Sequence, residues 1–229
     1  MNQKKRLHSL KHRSFPDLSI SVNLNQELNA HSSHIDLALE AKEAADGKQD
    51  AAGELEGVKS DIREEAGVKI TRIEVLNEQG AKSIGKKPGH YITIEVPGLR
   101  QKDSKLQNRV ATYFAQEFES FLQHLEVSAD AKVLLIGLGN WNVTPDALGP
   151  LVVENIMVTR HFFELMPDQI HSGYRQVSAI APGVLGTTGI ETSDIVHALV
   201  HKVRPDLVIA VDSLASKALD RVNTTIQIA

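Results

Sequence analysis

Two aspartates stand where a hydrolytic carboxylate would be useful. Asp146 lies in GLGNWNVTPDALGP (Gly137–Pro150), directly after the apolar run Val133-Leu134-Leu135-Ile136. Asp212 directly follows a second apolar run, LVIAV over 207–211. Short continuous apolar runs predict buried parallel strands. In open α/β sheets, ligands bind outside the carboxyl ends of such strands. Two carboxylates brought together there cannot easily both ionise, so one keeps a proton while the other acts as a base toward water. Only the fold can bring these two together. Each also has a reading without chemistry. Thr144 could cap a helix, with Pro145 at its first position and Asp146 in its first turn. Asp212 could cap a helix starting at Ser213.

The same glycine loop can be tested as a nucleotide cradle. A dinucleotide fingerprint needs G-x-G-x-x-G; Gly137 and Gly139 fit, but Asn142 holds the third place. No G-K-[ST] follows, so a phosphate loop is absent too. A second glycine-rich stretch, PGVLGTTGIETSD over 182–194, follows another predicted strand. Gly183, Gly186 and Gly189 would let the backbone approach a ligand or another chain, or would simply form a turn. Within it Thr188-Gly189-Ile190-Glu191 has the spacing of a capping box. There is no G-x-S-x-G and no H-E-x-x-H. His197 and His201 have the i, i+4 spacing of zinc ligands, but they lie off the apolar face of their helix and read as solvated. Trp141 either covers an edge of the site or is a partly buried core residue.

Elements to position these residues are readable along the chain. VKITRIEV (68–75) and YITIEV (91–96) are β-branched and read as a strand pair, an added hairpin-like segment. Apolar residues at spacings of three and four predict a helix over 103–125. Then come strand 133–136, helix 147–166, strand 177–181, helix 192–203, strand 207–211, helix 213–222 and strand 224–229. That alternation predicts an α/β fold, a mostly parallel sheet flanked by helices. Residues 37–66 are rich in Ala, Glu and Lys and could be helical in part, though Gly47, Gly53 and Gly57 interrupt them. Residues 1 to 34 are polar and basic, with no sustained period, and read as an arm or extension. The sequence stops at the last apolar residue of a predicted strand, so a longer parent chain, truncated here at its C-terminus, is expected.

Composition narrows the classes. The sequence has 229 residues, 41% of them hydrophobic, enough for one domain with a sizeable core. A net charge of −4 gives no general pull toward nucleic acid or membrane. The absence of cysteine removes disulfides, thiolate nucleophiles and cysteine zinc sites. No apolar run approaches the roughly 20 residues of a membrane span. The basic N-terminus lacks the apolar core of a secretory signal. A cytoplasmic location is the expectation.

Three stretches carry a resemblance: GLGNWNVTPDALGPLVVENIMVTRHFFEL, SAIAPGVLGTTGIETSDIV and RPDLVIAVDSLASKALDRVNTTIQI. With GVKITRIEVLNEQGAKSIGKKPGHYITIEVPGLR, they resemble the germination proteases of spore-forming bacteria. The resemblance implies an endopeptidase that degrades small acid-soluble spore proteins during germination, in the spore core. It implies Asp146 and Asp212 as the catalytic pair, no metal or other cofactor, and a homotetramer without direct nucleic-acid or membrane partners. It also implies a zymogen. Ile35-Asp36-Leu37-Ala38-Leu39-Glu40 looks like the family's cleavage target, acidic then apolar then alanine. Residues 1–36 would then be a propeptide removed by autoprocessing between Asp36 and Leu37, with 37–229 the N-terminal part of the protease domain. Gly183, Gly186 and Gly189 would line the substrate groove. The element G-x-G-N-(x)4-P-D-x-x-G is also similar to hydrogenase maturation proteases, which leaves two alternatives: a nickel-dependent peptidase of that kind, or a non-catalytic phosphate- or nucleotide-binding module.

Overall fold

The alternating pattern of Val68–Val75 builds the centre of an antiparallel sheet. A computed structural model describes residues 36–47 and 55–229 of the chain. These fall within one unit that starts at Ile35. The readings made for residues 1–35 lie outside the described residues. Strands β1 (Val58–Glu65), β2 (Val68–Val75), β3 (Gly89–Glu95) and β7 (Thr225–Ile228) pair in the order β1-β2-β3-β7. Ala66 and Gly67 join β1 to β2, both with positive φ (51° and 80°), as a two-residue hairpin with the sheet's own twist requires.

The two faces of this sheet bury different partners. Helix α1 (Ala38–Asp46) puts Ala38, Leu39 and Ala41 against Ile73 and Val75 of β2. Helix α2 (Glu78–Ile84) adds Ile84 to that cluster; its first turn is capped by the Asn77 side chain, which accepts from the N–H groups of Gln79 and Gly80. On the other face lies helix α3 (Ser104–His124), capped by Asp103. It lays Leu106, Val110, Phe114, Phe118 and Phe121 over Val68, Ile70, Ile92 and Ile94. Arg72 anchors α3 through paired hydrogen bonds of 2.9 and 2.6 Å to Glu117.

The second sheet is parallel, in the order β5-β4-β6, and its strands β4 and β6 lead into the segments that hold Asp146 and Asp212. Strand β4 (Val133–Gly137) is its centre and is buried at every position. Strand β5 (Val177–Ile180) and strand β6 (Leu207–Val211) flank it. Helix α7 (Thr192–Val203) makes the crossover from β5 to β6, a βαβ unit. Helices α4 (Leu148–Asn155) and α5 (Arg160–Leu165) lie between β4 and β5 in the chain.

The fold is therefore α/β, but four of its strands form an antiparallel sheet and three a parallel one. The expected mostly parallel sheet is corrected in four places. The helix over 147–166 is broken after Asn155, because Thr159 pairs with the start of β5: its N–H donates to the Val177 carbonyl and its hydroxyl accepts from the Val177 N–H, both at 2.9 Å. The helix over 213–222 is absent; carboxylates from elsewhere take its backbone N–H groups. Strand β7 leaves the parallel sheet and pairs with β3, Ile226 opposite Ile94. Its T-I-Q-I alternation suits a half-buried antiparallel strand. Strand β1 was not expected; beyond Val58 all its residues are exposed, and its charges suit an edge.

Truncations within the antiparallel sheet should separate its core from its edge. Ile94→Ala, at a position with 0% exposure between β2 and β7, is expected to lose about 2–5 kcal/mol in urea unfolding. Ile62→Ala, 60% exposed on β1, is expected to stay within about 0.5 kcal/mol.

Candidate functional site

Three loops leave the carboxyl edge of the parallel sheet. Residues 138–147 follow β4, 181–191 follow β5 and 212–224 follow β6. The register sets Gly137 beside Val211, and the Leu138 N–H extends the ladder with a 2.8 Å bond to the Val211 carbonyl. Gly149, at the start of α4, closes onto both strands. A Cβ there would lie 2.2 Å from the Leu138 oxygen and 2.5 Å from the Val211 oxygen. Only glycine permits that approach.

The first loop folds back on itself and presents Asp146, which is half-buried. Asn140 N–H donates to the Asp146 carbonyl at 2.9 Å, and Asp146 N–H donates to the Val143 carbonyl at 2.8 Å. Gly139, at φ +112°, makes this possible: a Cβ would stand 2.0 Å from the Asp146 carbonyl oxygen and 3.1 Å from its Oδ1. The alternative reading of Thr144 as a helix cap is not met. Thr144–Asp146 is a short 3₁₀ turn, and the cap positions fall on Val143 and Ala147, neither with a side-chain cap. Trp141 is 48% exposed on this loop and is not a core residue.

Asp212 is exposed, one residue past the Gly137–Val211 pair. Its Oδ1 accepts from the Ser213 N–H at 2.7 Å. No helix starts there, so the capping role is removed. Asp146 and Asp212 thus stand on neighbouring loops at one edge of one sheet.

The glycine-rich loop is next to them in the sheet. It holds a one-turn helix, α6 (Leu185–Thr188), with Gly183 at φ +80° before it and Gly189 at φ +70° closing it. Gly186 faces open space. The Thr188–Glu191 capping box is not formed. Thr188 still belongs to α6 and its hydroxyl serves Ile190 N–H, while α7 starts at Thr192 without a side-chain cap. His197 and His201 are exposed. Among the described residues no three metal-ligating side chains converge.

Asp36 meets the third loop. The Asp36 carboxylate accepts from the Ala215 N–H at 2.9 Å, and its carbonyl accepts from Lys86 Nζ at 2.7 Å. Leu37 is buried, and Ala38 N–H donates to Gln227 Oε1 at 2.7 Å. One turn on, Glu40 is buried as well. Burial pushes its carboxyl up, but bonds from the Ser216 hydroxyl and the Lys217 and Ala218 N–H groups, with the Arg221 charge, outweigh this and hold it below its ordinary value. Its contribution is therefore present above the ordinary glutamate value, about 4.3, and is lost as pH falls through the lower folded value. Arg221 joins Glu43 through two bonds of 2.7 Å and Glu95 at 2.8 Å, and these partners raise its already high value. Sequence reasoning missed Glu40 and Arg221. Each sits in a charged stretch with nothing to set it apart from a solvated face.

Residues 35–229 match the family model described as germination protease. The chain belongs to the germination protease family. It is 51% identical over 212 residues to the germination protease of Geobacillus sp. (strain WCH70), covering 90% of this chain and 57% of that one. It is 50% identical over 202 residues to that of Bacillus cereus (strain AH187), covering 88% and 55%. It is 51% identical to that of Bacillus mycoides (strain KBAB4) over the same length. The chain thus spans a little over half the length of these relatives.

The glycine junction is open to test. Gly149→Ala is expected to cost about 1–3 kcal/mol by overpacking, read in thermal or urea unfolding. Gly186→Ala, which meets no neighbour, is expected to stay within about 0.5 kcal/mol.

Proposed function

We propose that this chain carries the catalytic aspartates of a spore germination endopeptidase acting on small acid-soluble spore proteins. One observation supports this most strongly. Asp146 and Asp212 leave adjacent parallel strands at the same edge, and neither serves as a helix cap. In a carboxylate pair, one member takes a proton from water as the oxygen attacks the peptide carbonyl. The other, protonated, gives its proton to the leaving amine. The peptide bond breaks to a carboxylate and an amine, and the pair returns to its starting charge. The loop of Gly183, Gly186 and Gly189, from the strand on the far side of β4, lines the substrate groove in this reading.

The same reaction would process the chain itself. Cutting between Asp36 and Leu37 removes the Asp36 carboxylate from Ala215 and its carbonyl from Lys86. Leu37 and Ala38 stay in the core as the new terminus. Because Leu37 is 4% exposed, the segment must open locally before its bond can be reached. The family resemblance supports the rest of the reading: a zymogen, a homotetramer, no resident metal or cofactor, a spore-core location, and a parallel sheet akin to that of hydrogenase maturation proteases. No helix among the described residues is long and apolar enough to cross a membrane.

Mass spectrometry of the full chain tests this at mildly acidic and neutral pH. The expected result is a new N-terminus at Leu37 in the parent, absent from Asp146→Asn and from Asp212→Asn. Cleavage that persists in both variants would place the chemistry elsewhere.

A further inference from the structure

The segment after β6 has no helix and no strand until β7, although it begins at Asp212. A catalytic side chain on an irregular loop must be held by contacts from outside it, because small misplacements cost rate steeply. The loop's donors show where those contacts are. The Ser216 hydroxyl donates to Glu40 Oε1 at 2.6 Å, Lys217 N–H to Oε2 at 3.1 Å, and Ala218 N–H to Oε1 at 3.2 Å. Glu40 is 6% exposed, and Glu43, one turn further along α1, lies in solvent reach. A buried carboxylate is costly unless its oxygens are satisfied. Here the loop satisfies them, with the Arg221 guanidinium 3.8 Å away.

We infer that Glu40 is a positioning residue for Asp212. Its ionised carboxylate folds residues 216–218 around itself and thereby fixes the course of the chain that leaves the proposed catalytic aspartate. This rests on the reading of Asp212 given above. Asp36 holds Ala215 from the same segment, but the two contacts differ in fate. Processing between Asp36 and Leu37 would remove the first and keep the second. The Glu40 brace therefore belongs to the processed enzyme as well as to the zymogen. Glutamine cannot replace it. Its amide nitrogen would face an N–H donor where the second carboxylate oxygen accepts one.

The test uses the full-length chain, a peptide substrate with an acidic–apolar–alanine cleavage site, and amide hydrogen exchange. Glu40→Gln is expected to lower kcat about tenfold or more with KM within about threefold, and to speed exchange only within 213–222. Ser216→Ala, which removes one of the three bonds to Glu40, is expected to fall between this and the parent. Glu43→Gln, which weakens the paired exposed bonds to Arg221 but leaves residues 216–218 on Glu40, is expected to keep kcat within about twofold. The inference is overturned if Glu40→Gln keeps parental kcat, or if faster exchange spreads through both sheets together with the loss. If the parent cleaves nothing, the reading of Asp212 fails by itself. Exchange then still decides the brace, and unchanged protection of 213–222 in Glu40→Gln overturns it.

Discussion

No side chain fits at Gly149, and the arrangement of the proposed site depends on that contact. Its backbone lies against Leu138 just past β4 and against Val211 at the end of β6. The start of helix α4 is thereby locked to two strand ends at once. Asp146 precedes that helix, and Asp212 follows that second strand. A single close backbone approach thus sets the spacing of two loops far apart in the chain. The Gly139 contact with Asp146 repeats the device within one loop. Both are steric constraints, so they act at any pH or ionic strength.

The antiparallel sheet supplies the other half of the arrangement. Its β3 and β7 present Glu95 and Gln227 toward α1, and Arg221 and Ala38 bond to them. The loop after β6 crosses from the parallel sheet to this one, ending in β7 beside β3. Arg100 holds the far end of the loop, donating to the carbonyls of Leu219 and Val222. The loop is therefore irregular in backbone yet tied at several points by charged side chains. Ordering such a loop costs conformational entropy, which these charge-assisted bonds offset in part. The segment around the proposed processing point is among the ties, which links the state of the N-terminus to the aspartate loop.

The sequence disclosed elements whose pattern and burial agree. VLLIG and LVIAV are short, apolar and buried or flanking in a parallel sheet, and Thr192–Val203 carries a regular amphipathic period. The errors have one physical source: long-range partners that local pattern does not contain. Leu214, Ala215, Ala218, Leu219 and Val222 have helical spacing, but Asp36 and Glu40 claim the N–H groups a helix would use. Thr159 pairs with β5 and interrupts a run that otherwise reads as helix. The strand KSDIREE has one apolar residue, Ile62, and as a hairpin edge leaves it exposed, so hydrophobic periodicity cannot reveal the strand. For the proposed site, the placement of Asp146 and Asp212 beyond two apolar strands was legible in the local pattern. Glu40 was not, since burial by a distant loop leaves no local mark.

Asp146 and Asp212 are proposed to act as one unit. The most direct measurement is kcat/KM for the parent, both single asparagine variants and the double variant, on one peptide substrate. Groups that share one proton inventory are strongly non-additive. If the two aspartates act as one unit, the double variant is no slower than the worse single variant, within about threefold. Losses that multiply across the two positions would show two independent contributions and contradict that proposal.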